Sequence, residues 1–459
     1  MRAGREDAPH PERRDALAEV ATQPARALAS LDERETRRMP AAAPVAGADP
    51  TGALVRWPSR KPRHRRDGRR RLRRLVTALA LLALLVGSGP LINSPIGARG
   101  ADLLRAALGP RLTAQIESYY FGATDALTRL RTQVFHNHGA APWSVSRSAG
   151  LPAGQAPAGR ASAARLMTLP TVHTVITPTL PDEGVWISSG LPAPSSRGWP
   201  VPMAKTYLRP DPERPYAVVM LVAIDLRQAQ LHLVDGTTEP AAGGPGVIPA
   251  VDQSAALLLG AFNGGFKAAD GHYGLMVNGH TYLPPQPHAA TLALYRDNTV
   301  RIGEWGTDAV PTTGMVAFRQ NGAPLIVDGE VNPSAATDGW AWGAPILANI
   351  YTWRSALALT DNGVLLYAAG NSVSASTLAR ALVAAGASQA MELDINPVWV
   401  RCMTYQADRS TLTARKLRDD MYGAPNQFLA PYERDFIYVT RVSPAGWPAT
   451  SSPPTTHPR

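Results

Sequence analysis

The sequence predicts an α+β domain of mixed or antiparallel sheets joined by hairpins, with few helices, preceded by a single transmembrane helix. Three observations carry this reading. Asn-Gly pairs interrupt apolar alternations at Asn278-Gly279, Asn321-Gly322 and Asp361-Asn362-Gly363, and such pairs adopt the positive φ that tight hairpin turns require. One capped helical period lies between Ser374 and Gly386. An uncharged run, Leu75 to Ile92, follows directly on a basic block.

Composition limits the globular part. A length of 459 residues allows about three domains, but Ala, Pro, Gly and Arg dominate residues 1–74 and 140–200, where too few aliphatic and aromatic side chains remain to bury a core. One domain is left, residues 182–442. The net charge of +10 is equally local. Residues 61–74 hold 9 basic and 1 acidic side chains, residues 1–60 hold 10 and 9, and the rest of the chain holds 27 and 26. The domain therefore has no basic stripe able to neutralise a phosphate backbone, and no nucleic-acid partner is expected. Cys402 stands alone, which excludes an intrachain disulfide and any multi-cysteine metal site; it reads as a small buried residue.

Taken in order, residues 1–74 form a disordered basic tail, weakly helical over Asp15 to Arg38 and interrupted at Pro24. Leu75 to Ile92 would extend about 27 Å as a helix, enough to cross a hydrocarbon core. The basic block on its N-terminal side places the tail in the cytoplasm and everything after Ile92 outside, making this a single-pass protein of the cell membrane. A cleaved signal peptide fits poorly, because the preceding tail is long and no small-x-small site follows. Residues 93–137 form a helical stalk in two pieces. Leu103, Leu104, Ala107 and Leu108 line one, Leu112, Ile116, Tyr119 and Tyr120 the other, with Gly109-Pro110 between them. Residues 138–181 are a Pro/Ala/Gly-rich linker and 443–459 a disordered tail.

Inside the domain, Tyr216 to Leu226 and Gln230 to Val234 read as paired strands, and Ala255 to Phe262 as a buried strand entering the loop Asn263-Gly264-Gly265. Hairpins follow at Leu275 to Tyr282, Met315 to Val327 and Ala356 to Tyr367. Ser374 or Ser376 caps a helix with Leu378, Ala381, Leu382 and Ala385 on one face and Gly386 as its stop. That helix delivers the chain into Met391 to Asn396, and Phe436 to Val442 closes the domain.

Met391, Leu393 and Ile395 alternate with Glu392, Asp394 and Asn396, so a strand here carries two carboxylates and an amide on one face. The other reading is an edge strand with a solvated side. Several further residues have double readings. Arg354 suits either a phosphate clamp or an interior ion pair with Asp394 or Glu392. Lys267 is a ligand or an exposed cation, and His272 and His288 are acids or hydrogen-bonded structural residues. Asp328 and Glu330 read first as a turn, and Trp340 and Trp342 stack on a sugar or anchor a core. Glu392, Asp394, Asn396 and a loop carbonyl would offer hard oxygen ligands to Ca²⁺ or Mg²⁺, but no calcium-loop spacing is present and no cofactor is expected.

The order of these features resembles the phosphodiester glycosidase family. The matching residues are Asn263-Gly264-Gly265-Phe266, Arg354-Ser355-Ala356 leading to Asp361-Asn362-Gly363, the helix Leu378 to Gly386, and Leu393-Asp394. The family usually continues Leu-Asp into Gly-Gly-Gly-Ser; here Ile395-Asn396-Pro397-Val398 follows, with fewer free N–H donors for an anion. The resemblance implies a hydrolase that cleaves a sugar from a glycosyl phosphodiester. Asp394 would be the principal catalytic carboxylate and Glu392 its partner. Asn263, Gly264, Gly265, Lys267, His272, Arg354 and Asn396 would hold the sugar or its phosphate. The backbone origins of Glu392 and Asp394 would lie about 6.5 to 7 Å apart by strand rise. The expected partners are a carbohydrate or glycosyl phosphate and the membrane. A non-catalytic glycan or wall-polymer binding module on a stalk is the alternative.

Overall fold

The computed structural model describes residues 107–135, 138–143, 167–192, 202–337, 350–408 and 411–442, with Gly100, Leu103 and Trp342. The basic tail, the uncharged run 75–92 and the C-terminal tail lie outside the described residues. Among the described residues no helix is long and apolar enough to cross a membrane.

Helix α1 (Pro110–Phe135) begins at the break expected at Gly109-Pro110, with Gly109 at φ 81° just before it. Among the described residues, seventeen strands and a second α-helix follow. The largest sheet has seven strands, in the order β1 (Met203–Leu208), β2 (Val219–Asp225), β13 (Val364–Val373), β12 (Thr352–Thr360), β14 (Ala387–Ile395), β10 (Pro324–Val327) and β11 (Glu330–Val331). A five-stranded sheet runs β16 (Thr411–Lys416), β15 (Cys402–Asp408), β4 (Leu258–Asn263), β17 (Phe436–Arg441) and β3 (Ala229–Val234). Another runs β6 (His280–Leu283), β5 (Leu275–Val277), β9 (Met315–Gln320), β7 (Ala290–Tyr295) and β8 (Val300–Glu304). Every pairing between these strands is antiparallel.

The seven-stranded sheet is covered on both faces. Met220, Leu357, Tyr367, Met391 and Leu393 meet Leu231, Phe262 and Ile437 of one smaller sheet and Leu292, Ile302 and Ala317 of the other. On the opposite face Ala356, Leu366, Ala368 and Ala390 lie beneath Leu378, Ala381 and Leu382 of α2 (Ala375–Ala384), beside Trp186 and Trp342. The helix starts where Ser374 Oγ accepts from Thr377 N at 3.1 Å, and Gly386, at φ 80°, ends its turn as expected.

Three expectations need correcting. β2 and β3 are consecutive but unpaired: β2 joins β1 and β13, whereas β3 joins β17 in another sheet. Asn321-Gly322 is no hairpin turn either. β9 and β10 lie in different sheets, and the dipeptide is the crossing between them, with the Asn321 side chain fully buried. Met391 to Asn396 has no open polar face, because β14 is central in a sheet buried on both sides and Glu392 and Asp394 are buried with it. The turns at Asn278-Gly279 and Asp361-Asn362-Gly363 stand as read.

Candidate active site

β14 ends in a cluster of buried charge. Glu392 and Asp394 are two residues apart on one strand, yet each reaches a different arginine. Arg354, from the neighbouring strand β12, donates from Nη1 to Glu392 Oε1 at 2.5 Å. Nη1 also donates to the Trp342 carbonyl at 2.9 Å and Nη2 to the Ile350 carbonyl at 3.3 Å, while Nε is buried without a partner. Arg434, just before β17, donates from Nη2 to Asp394 Oδ2 and to the Gly265 carbonyl at 2.8 Å. Asp394 Oδ1 accepts from the Ile395 N–H at 3.0 Å.

The loop Asn263-Gly264-Gly265-Phe266 packs against this strand end. Asp394 N–H donates to the Gly264 carbonyl at 2.9 Å. Asn263 Nδ2 donates to Ser355 Oγ at 2.9 Å, and Ser355 in turn donates to the Asp394 carbonyl at 2.7 Å. Asn263 Oδ1 accepts from Tyr367 Oη and from Arg401 N–H, both at 3.1 Å. The loop's other donors are also engaged. Gly264 N–H donates to the Asp435 carbonyl, Gly265 N–H to Asp435 Oδ2 and Phe266 N–H to Asn321 Oδ1. The glycines are there for close approach. A Cβ on Gly264 would overlap the Asp435 carboxylate, and one on Gly265 would stand 2.9 Å from the Arg319 guanidinium carbon.

Arg319 and Asp435 form a third buried pair at 2.8 Å. Asn321 ties the loop to the strand, donating from Nδ2 to the Glu392 carbonyl at 2.8 Å. The electrostatics follow from burial. Glu392 is pushed up to about 7 by loss of water, against the pull of the Arg354 charge and its hydrogen bond. Asp394 is likewise raised to about 7, chiefly by burial; Arg434 opposes the shift and Asp435 adds to it. A carboxyl group poised there can both hold and release a proton near neutral pH.

The structure thus brings together Asn263, Gly264, Gly265, Arg354, Glu392 and Asp394. Arg354 takes its interior ion-pair reading, with Glu392 as partner. Lys267 reaches the rim, its Nζ 5.2 Å from the ring centre of Trp399, which also lies 4.6 Å from the Arg434 guanidinium. Asn396 shapes the exit from the strand. It adopts φ 78°, a left-handed conformation that asparagine tolerates, and its N–H donates to the Trp353 carbonyl at 2.8 Å. His272 is exposed and contributes backbone bonds instead, donating to the Ala268 carbonyl and accepting from Gln286. His288 pairs with Glu304 on the surface at 2.5 Å. Asp328 and Gly329 form the turn between β10 and β11, as expected. Trp342 is a buried anchor, and Trp340 lies outside the described residues. Among the described residues no group of three or more His, Cys, Asp or Glu is arranged to hold a metal.

Sequence reasoning missed Arg319, Asn321, Arg434 and Asp435. Arg319 and Gln320 sit at the end of an otherwise apolar strand, and a charge in such a run is the signal that points inward to a partner. Arg434-Asp435 offered only adjacency to the closing strand.

The model of the family described as phosphodiester glycosidase matches residues 258–394 of this chain, from the start of β4 to Asp394. The matched family is one of glycosidases, in agreement with the activity class expected from the sequence. Among solved structures, the catalytic domain of zebrafish N-acetylglucosamine-1-phosphodiester alpha-N-acetylglucosaminidase, auto-inhibited by its pro-peptide, is 13% identical, with a TM-score of 0.36 over 55% of this chain and 87% of its own. A hypothetical protein from Synechocystis is 14% identical, with a TM-score of 0.28 over 49% of this chain and 59% of its own. A putative exported protein from Burkholderia pseudomallei K96243 is 11% identical, with a TM-score of 0.29 over 49% and 74%. A comparison with curated proteins gives no match.

Proposed function

We propose that this protein is a hydrolase that cleaves the sugar from a glycosyl phosphodiester, and that residues 75–92 anchor it with the domain on the outer side of the membrane. The observation that carries the catalytic reading is the buried, proton-poised Asp394 held at the end of the family-matched segment beside Arg434. A phosphomonoester is a good leaving group, so the chemistry needs a carboxylate to stabilise the oxocarbenium-like transition state or to activate water. Asp394 takes that role and Glu392 supports it.

Arg434 replaces Arg354 as the phosphate ligand in this proposal. Three groups of the protein hold both terminal nitrogens of Arg354 and leave only its Nε without a partner, whereas Arg434 leaves two buried donors, Nε and Nη1, without one. Each is an N–H donor that a phosphate oxygen can accept from. Trp399, half-buried beside Arg434, presents a ring edge or face to the sugar. The loop glycines support the strand end and take no ligand, since their N–H groups are occupied.

A second reading, a glycan-binding module without turnover, draws on those same occupied N–H groups. The deciding assay offers the purified protein a panel of glycosyl-phosphate diesters and measures free sugar and phosphomonoester. Release of both in equal amounts supports the hydrolase. Retention of the glycans with no release on any diester would move the assignment to the binding module.

A further inference from the structure

We propose that the outward face of α1 is a seam that packs, parallel and in register, against α1 of a second copy of this chain. The face is a single uncharged stripe: Leu112, Ile116, Tyr119, Ala123, Leu127, Leu130 and Val134. The steps between them run 4, 3, 4, 4, 3, 4, which is two consecutive 11-residue repeats. An 11-residue period gives 3.67 residues per turn, so the stripe keeps to one side of the helix from end to end. At 100° per residue it occupies about 80° of the circumference and about 33 Å of length. Leu112 is 46% exposed, Tyr119 77%, Leu130 57% and Val134 60%.

The opposite side of the helix is fastened to the domain. Asp125 accepts from Arg214 Nε at 3.0 Å, from Arg214 Nη2 at 2.8 Å and from Tyr216 Oη at 3.2 Å. The Arg214 guanidinium in turn lies 3.5 Å from the centre of the Tyr351 ring. Arg129 adds a bond to Glu213 at 3.4 Å. With Asp125 held in this way, α1 cannot roll to bury the stripe against its own domain.

The width of the stripe selects the occupant. A helix lying in a bilayer surface presents a broad apolar face edged with basic residues. A narrow stripe of regular period is the pattern that a second helix fills. The copy is identical because pairing in register sets each stripe residue against itself, uncharged against uncharged, so no charge is buried. The parallel sense rests on the membrane-anchored reading of residues 75–92. Only residues 93–109 separate that run from α1, so copies anchored in one membrane present their stripes at one height and in one direction.

The test uses the full chain in its native membrane and in detergent, with single cysteines added at Leu112→Cys, Tyr119→Cys and Val134→Cys. The native Cys402 is buried and stays in place. Gly122→Cys and Arg131→Cys are exposed controls off the stripe. Oxidation should join each stripe variant to itself at least fivefold faster than either control, and Leu127→Glu with Leu130→Glu should shift the detergent-solubilised protein from dimer to monomer in light scattering. Equal rates at stripe and control positions would overturn the proposal. So would dimers that form only when Leu112→Cys and Val134→Cys chains are mixed, the signature of antiparallel pairing. Carbonate extraction reads the anchor separately: an extracted chain that still forms same-position cross-links would contradict the anchor and leave the seam standing.

Discussion

Replacing Arg434 by Met tests whether the buried charges at the end of β14 act as one unit. Arg434 is buried, and its Nη2 bridges Asp394 Oδ2 and the Gly265 carbonyl. Removing one partner of a buried ion pair leaves the other uncompensated, at a cost of about 3–5 kcal/mol. Asp394 has an escape, since its carboxyl is already raised to about 7 by burial. Without the opposing Arg434 charge it rises further and takes a proton. Stability that depends on the protonated form is fully present below the unfolded value and is lost as pH rises through the folded one. The loss in Arg434→Met should therefore be near its full size at pH 8 and smaller at pH 5. Adding Asp394→Leu removes the stranded carboxyl, so the double variant should be more stable than Arg434→Met alone at pH 8. Urea unfolding of the four proteins at both pH values measures this. Losses that simply add in the double variant, with no pH dependence, would refute the coupling.

Other expectations follow from the same geometry. Gly264→Ala drives a methyl group into the Asp435 carboxylate and breaks its bonds to Arg319 and Gly265, so a loss of about 3–5 kcal/mol is expected in thermal or urea unfolding, whereas Gly279→Ala has open space around its Cβ and should be strained only by its φ of 78°. Asp235, buried at the end of β3, is raised to about 7 by loss of water and by Asp435, against the N–H groups of Gly236 and Ala241. Between about pH 4 and 7 the folded state thus keeps a proton that the unfolded chain has already released, and Asp235→Asn should stabilise the protein by about 1–3 kcal/mol at pH 8 while changing little at pH 4. Chelation with EDTA should leave melting temperature and turnover unchanged, because a cation at Glu392 or Asp394 would have to displace Arg354 or Arg434.

The parts of the fold that were legible in the sequence are those set by local chemistry. Asn278-Gly279 and Asp361-Asn362-Gly363 make turns whose φ values only such residues adopt readily, and Ser374 and Gly386 bound α2 through their own hydrogen bonds and conformation. Asp394 and Glu392 stood out because carboxylates alternate with apolar residues on one strand, while Arg354 and the Gly-Gly loop drew notice through the order of the family's motifs. What local chemistry could not supply was the choice of partner strand. β2 and β3 adjoin in sequence but belong to different sheets, and Asn321-Gly322, with the same letters as a true hairpin turn, is a crossing. The same non-local pairing brings Arg434 and Asp435, just before the last strand, to the carboxylate and loop residues that lie 40 residues or more upstream. Asn321 was read for its backbone preference, whereas its side chain is the strut between the loop and β14.

The most direct measurement of the central claim is single-turnover release of phosphomonoester from a glycosyl-phosphate diester by the wild type, Asp394→Asn and Arg434→Lys, with circular dichroism confirming that each is folded. The account predicts that Asp394→Asn lowers the rate at least 100-fold with substrate still bound, and that Arg434→Lys weakens binding of the diester more than that of the free sugar. Wild-type turnover that persists undiminished in Asp394→Asn would contradict it and place the chemistry elsewhere in the domain.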